Sequence, residues 1–144
     1  MSNMMSKRGL LALGAALFVA PAAFAQQGGG AKPSLFINMT SDDSHRLTMG
    51  LGFGLNQLKR GHSVTVFLND RAVHAASKKN AEKFTEQQKI IADLLGAGAT
   101  VLVCPMCSKH YGVAEADFLP GLKLGNPELT GGALFADNAR SLTW

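Results

Sequence analysis

Cysteine is scarce in this chain of 144 residues, which holds two, Cys104 and Cys107. A framework of structural disulfides is therefore excluded. The single bridge the pair can form encloses only Pro105 and Met106, and so removes little entropy from the unfolded chain. Aromatic residues make up 7% of the chain and charged residues 17%. No Lys/Arg stripe with interleaved aromatics is present, which argues against nucleic acid as a partner. There is no G-x-S-x-G sequence and no carboxylate pair whose spacing compels hydrolase chemistry. Internal repeats, heptads and a low-complexity core are also missing. The longest apolar run, Leu10 to Ala20, is shorter than the roughly 20 residues needed to span a bilayer and ends at Pro21.

That run has another reading. Lys7 and Arg8 precede it, and Ala23-Phe24-Ala25 supplies the A-x-A pattern of a signal-peptidase site. The sequence thus predicts a cleaved signal peptide over residues 1–25, a flexible Gly-rich leader over 26–33 and one domain over 34–144. The product is expected in the periplasm, with no membrane attachment after cleavage. A domain of that size supports a single core without needing staples. Without Lys7 and Arg8, 12 basic residues face 10 acidic ones, so the whole-chain net charge of +4 falls to +2. Lys78, Lys79 and Lys83 then read as a solvated face.

What the domain does contain is an alternation of strand and helix signals. Ser34 to Met39 reads as a buried strand, followed by the capping cluster Thr40-Ser41-Asp42-Asp43-Ser44. Leu47, Leu51, Leu55 and Leu58 form the stripe of an amphipathic helix that Gly61 closes. Val64 to Leu68 is a β-branched strand ending at Asn69-Asp70. Arg71 to Ser77 reads as a short helix and Lys78 to Lys83 as a polar connection. Thr85 with Gln88 makes a capping box for a helix carrying Ile90, Ile91, Leu94 and Leu95 and stopping at Gly96. Ala99 to Val103 is a third strand. Beyond it come a helical turn at Ser108 to Tyr111, a short strand at Leu122 to Leu124, a helix start at Asn126-Pro127 and a last strand from Ala139 to Trp144. This order predicts an α/β fold, three-layer α/β/α, with a mainly parallel sheet of about five strands.

The third strand ends in Cys104-Pro105-Met106-Cys107, which places two thiols at the carboxyl edge of the sheet, where such folds bind ligands and do chemistry. A redox, sulfur-carrying or metal role explains the spacing better than a structural bridge does. Thioredoxin is a poor match, because its C-x-x-C follows an early strand. The order of signals, with Gly61-His62 before Val64-Thr65-Val66-Phe67-Leu68 and Gly112-Val113 behind the cysteines, resembles the DsrE/DsrF-like (DsrE/TusD, YchN-type) family over Ser34 to Trp144. In that family the sulfur-accepting cysteine stands eight positions before a Gly-(Ile/Val) pair, as Cys104 stands before Gly112. The resemblance therefore implies a sulfur relay with a persulfide on Cys104, assisted by Cys107, working without a cofactor. It also implies donor and acceptor proteins or small sulfur compounds as partners, and a trimeric or hexameric homo-oligomer. Where the family often has Arg before this Gly, the chain has Tyr111. Lys109 and His110 are then the candidates for supplying positive charge. Together with backbone N–H groups of the turn near Ser108, they would favour the Cys104 thiolate.

Other constellations compete. Cys104, Met106, Cys107 and His110 form a soft donor set suited to Cu(I), which would make the chain a metal-binding protein rather than a relay. A structural oligomer with a vestigial site is a third reading. Gly50-Leu51-Gly52-Phe53-Gly54 suggests a dinucleotide loop but falls inside a helix, about ten residues past the first strand, where close packing on the sheet accounts for it better. Asp43 and His45 follow the first strand and so share the cysteines' edge. The plain reading is an N-cap and a solvent-facing His; the sharper one has either residue taking up a proton in the thiol pocket.

Overall fold

The structure is a computed structural model that describes residues 32–144. The expected signal peptide, and the expected leader as far as residue 31, lie outside the described residues. Five strands, β1 (Ser34–Met39), β2 (Val64–Leu68), β3 (Thr100–Val103), β4 (Lys123–Leu124) and β5 (Ala139–Thr143), form one sheet in the order β4-β3-β2-β1-β5. Every neighbouring pair is parallel. The α/β class and the parallel five-stranded sheet are those the sequence predicts. Among the described residues no helix is long and apolar enough to cross a membrane.

Alternation along the strands divides the side chains between two faces. Ile37, Met39, Val66, Leu68, Val101 and Val103 point to one of them and pack with Leu47, Leu51, Ile91 and Leu94 of helices α1 (Ser44–Lys59) and α2 (Thr85–Gly96). The other face carries Phe36, Phe67 and Leu102. Its cover is slighter, a π-helical turn at Pro127–Gly131 running into Gly132–Leu134, so that Thr130 and Leu134 lie near Phe36 and Phe67.

Local chemistry explains most boundaries. The Asp43 carboxylate accepts from Arg46 N–H at 2.8 Å and caps α1, while Gly61 adopts φ +87° just past its end, a conformation glycine reaches at little cost. Pro33, at the end of the expected leader, is tied down: its carbonyl lies 2.7 Å from His62 Nδ1, which must carry the proton because a carbonyl only accepts.

Three expectations need correction. The Arg71–Ser77 helix is a 3-10 segment, Asp70–Ala76. Thr85 and Gln88 do not form a capping box: Phe84 occupies the cap position, Thr85 donates back to Ala81 O, and Gln88 is buried and donates to the Ala75 and Ser77 carbonyls. Burial decided the matter, because those two carbonyls at the end of the 3-10 segment need a donor. α2 ends at Gly96, as the sequence predicts, and the turn behind it is completed by Gly98 at φ +94°. The helix after the cysteines begins at Pro105 rather than Ser108, since Cys104 itself serves as the N-cap.

Gly50 and Gly54 of α1 do pack against the sheet. A Cβ on Gly54 would lie 2.8 Å from Ile37 Cδ1, and one on Gly50 would lie 2.6 Å from Met39 Sδ, whereas one on Gly52 would meet nothing within 4 Å. Replacing Gly52 with Ala should therefore stabilise the domain by up to about 1 kcal/mol through helix propensity. Gly54→Leu should cost roughly 1–3 kcal/mol through overpacking. Urea midpoints of the two variants, moving in opposite directions from wild type, check this.

Candidate functional site

The parallel register of β2 and β3 sets Leu68 beside Val103, and the ladder continues one step further, with Cys104 N–H donating to Leu68 O at 2.9 Å. Helix α3 (Pro105–His110) starts at once. Pro105 suits its first position, where no N–H is required and φ is already set. Ser108 closes the first turn, both its N–H and its hydroxyl donating to Cys104 O at 2.9 Å. Cys104 is thus fixed by the strand behind it and the helix ahead of it, and only 5% of its surface is exposed.

One helical turn brings Cys107 back over Cys104. The two form a disulfide with a Cα–Cα distance of 5.3 Å. Their surroundings differ. Cys104 Sγ accepts the backbone N–H of Cys107 at 3.2 Å, a contact that favours a thiolate on Cys104 once the bridge is reduced. Cys107 Sγ instead lies 3.1 Å from an acceptor, Asn69 Oδ1.

Asn69 and Asp70 follow β2 and therefore stand at the same edge. Asp70 holds the one positive φ of a non-glycine residue among the described residues, +46°. Asp is among the residues that tolerate that conformation, and the Asn69 side chain accepts the Asp70 N–H at 2.9 Å. The Asp70 carboxylate then accepts the Tyr111 hydroxyl at 2.6 Å, a bond that pushes the Tyr111 pKa up. The Asn69-Asp70 turn is in this way held to the C-terminal end of α3.

A pocket of about 370 Å3 opens beside Cys104, lined by Phe67, Pro105, Met106, Gly125, Asn126, Pro127 and Thr130. No charged side chain lines it. Of the residues singled out by sequence, Cys104 and Cys107 meet here. Lys109 and His110 follow on the exposed side of α3, and the His110 ring packs edge-on to Tyr111 at 4.7 Å, away from that lining. Asp43 caps α1, and His45 is exposed in its first turn; neither lines the pocket. Met106 is 80% exposed, and among the described residues no cluster of three His, Cys, Asp or Glu side chains is arranged to hold a metal ion. The sequence reading missed Asn69, Asp70 and Tyr111 as parts of the site. The signal was available, because the residue after β2 in a parallel sheet must neighbour the residue after β3.

Further along the edge, Asp42 accepts from Arg71 Nε at 2.9 Å and from Lys83 Nζ at 3.2 Å. The Arg71 guanidinium, outweighing burial, holds the Asp42 carboxyl down at about 2. A folded pKa below the unfolded value of about 3.9 means that the stabilisation is present above that value and is lost as pH falls from about 4 towards 2. Unfolding midpoints of wild type should thus drop over that interval more steeply than those of Asp42→Asn, and parallel curves would show that the pair adds nothing.

Comparison with known proteins places this geometry. The model of the DsrE/DsrF-like family matches residues 32–139. The chain is 32% identical over 80 residues to the uncharacterized protein MJ0989 of Methanocaldococcus jannaschii, spanning 55% of this chain and 70% of that relative. It is 31% identical over 80 residues to the uncharacterized protein MK0008 of Methanopyrus kandleri, spanning 55% and 66%. Among solved structures, the ychN protein from E. coli superposes with a TM-score of 0.63 at 19% identity, covering 77% of this chain and all but 1% of that one, a share of 99%. The BT1422 protein of Bacteroides thetaiotaomicron gives 0.62 at 22% identity, covering 78% and 95%. With a family match across most of its length and the fold shared, this chain belongs to the DsrE/DsrF-like family.

Proposed function

We propose that this protein accepts sulfane sulfur as a persulfide on Cys104 and passes it on, with Cys107 assisting, as a sulfur-relay or thiol/disulfide-exchange protein. The observation that carries the reading is the unequal treatment of two adjacent sulfurs at the carboxyl edge of a parallel sheet. One of them accepts a backbone N–H and lines a pocket. Family membership supports the same chemistry.

Reduction of the disulfide by a dithiol supplies two electrons and two protons and releases both cysteines. The Cys104 thiolate then attacks the outer sulfur of a donor persulfide, R–S–SH. A new S–S bond forms on Cys104, the donor's S–S bond breaks, and R–S⁻ leaves with the electron pair. An acceptor thiolate attacking the outer sulfur reverses the exchange and regenerates the Cys104 thiolate. Residues 1–25 direct the protein to the periplasm in this reading, where a reductant is needed to open the resting pair. Its assembly is a homo-oligomer; Phe135, 81% exposed, and Leu129, 41% exposed, offer apolar surface for copies to share.

Intact mass of the reduced mature protein, before and after exposure to sodium polysulfide, tests the reading. Wild type should gain one or more sulfur atoms (~32 Da each), reversibly with reductant, and Cys104→Ser should gain none. No gain by wild type, or an equal gain by Cys104→Ser, overturns it.

A further inference from the structure

Cys107 has a partner that the transfer steps above do not use. Asn69 Oδ1 lies 3.1 Å from Cys107 Sγ, and its identity as the oxygen, not the amide nitrogen, is fixed independently because the same atom receives the Asp70 backbone N–H at 2.9 Å. The Asn69 nitrogen is turned the other way and donates to Asn38 Oδ1 at 3.2 Å, and Asn69 N–H bonds Met39 O at 2.8 Å. The side chain is thus held from both ends with an acceptor aimed at the sulfur. In the disulfide no proton lies between the two atoms. In the dithiol, and in any state with sulfur on Cys104, the Cys107 S–H has an oxygen to donate to, whereas a thiolate there would face that oxygen's negative end.

We propose that Asn69 holds Cys107 in its protonated form and thereby governs how long sulfur loaded on Cys104 survives. The inference rests on the persulfide reading. The danger to a loaded carrier is internal: a Cys107 thiolate attacking Cys104 Sγ forms the Cys104–Cys107 disulfide, breaks the bond to the outer sulfur and expels it as HS⁻, so the cargo is lost as sulfide. The electron count closes without an external oxidant, since the sulfane sulfur is reduced as the two cysteines are joined. The geometry for attack is built in, because the two residues already approach within bonding distance. Only the proton on Cys107 stands against it. Asn69 is a positioning residue here, acting through Cys107.

The charged and titratable groups on the elements around Cys107 are few. From the 3-10 segment come Asp70, which accepts from Tyr111, Arg71, paired with Asp42, and His74, whose ring lies 5.2 Å from that of Tyr111. From α3 and its ends come Cys104, Lys109, His110 and Tyr111. All except Cys104 are common to the variants that follow.

The test uses the full mature chain carrying Cys104→Ser, which leaves Cys107 as its one thiol, and follows iodoacetamide alkylation as a function of pH. Adding Asn69→Ala should shift the midpoint down by about one pH unit through loss of the acceptor. Adding Asn69→Asp, which keeps the oxygen and the turn and adds charge, should shift it up. Opposite shifts from Ala and Asp are not what a purely structural role gives, and the Asp arm stands alone if the Ala variant fails to fold. Midpoints unmoved by either substitution overturn the proposal, whether or not the protein carries sulfur. In the protein with both cysteines, loaded with polysulfide and followed by intact mass, Asn69→Ala should discharge to the disulfide roughly three-fold faster near neutral pH. A tenfold larger thiolate fraction is partly offset by the lower nucleophilicity of a more acidic thiol. Equal lifetimes would overturn the gating role, and a wild type that never loads would instead overturn the persulfide reading.

Discussion

The backbone bond from Cys104 N–H to Leu68 O carries the β2–β3 ladder one residue past its last register pair, and it fixes where the first sulfur stands. Because the strands are parallel, that bond also decides what surrounds the sulfur. The chain leaving β2 must begin beside the chain leaving β3, so Asn69 and Asp70 are brought to Cys104 and Cys107 by register alone. A slip of β3 by one residue would turn Val101 and Val103 out of the core and offset the two ends. The buried apolar faces of β1, β2 and β3 against α1 and α2 hold that register, which is how core packing remote from the cysteines becomes a condition of their geometry.

Two sulfurs three residues apart are chemically alike until the fold makes them different. Cys104, at the helix start, meets a hydrogen-bond donor; Cys107, one turn on, meets an acceptor. A donor favours the charged form and an acceptor the protonated one. The proposed roles of nucleophile and resolving thiol rest on that contrast, and the resemblance likewise implies the acceptor role for Cys104. The slight cover on the second face of the sheet adds access. Where a long helix would close the space over Phe67, the Gly125–Thr130 segment leaves a pocket reaching Cys104.

Much of this was legible in the sequence, and the gaps have physical causes. β1 and β2 coincide with their apolar runs residue for residue, since buried parallel strands are continuous apolar segments and show little else. The sequence puts the start of α3 three residues late, because cysteine is not among the usual capping residues and the thiol's role as N-cap depends on the helix it caps. Gln88 has the spacing of a local capping residue, but it serves carbonyls of Ala75 and Ser77, a non-local demand that no window of sequence reveals. Charge and proximity in sequence bring Lys109 and His110 forward. Direction along a six-residue helix decides that they leave the pocket, and direction is set by Pro105 and Ser108. In the sequence Asn69 marks only the end of a strand. Its role appears once the strands are put in order.

The unequal sulfurs are the centre of this account, and limiting alkylation tests them directly. Freshly reduced protein treated near neutral pH with less than one equivalent of iodoacetamide, then digested and mapped by mass, reports which cysteine is the thiolate. Exposure alone favours Cys107, which is less buried than Cys104. The account predicts that the label falls mainly on Cys104, because the thiolate reacts and the thiol does not. A label found mainly on Cys107 would contradict it.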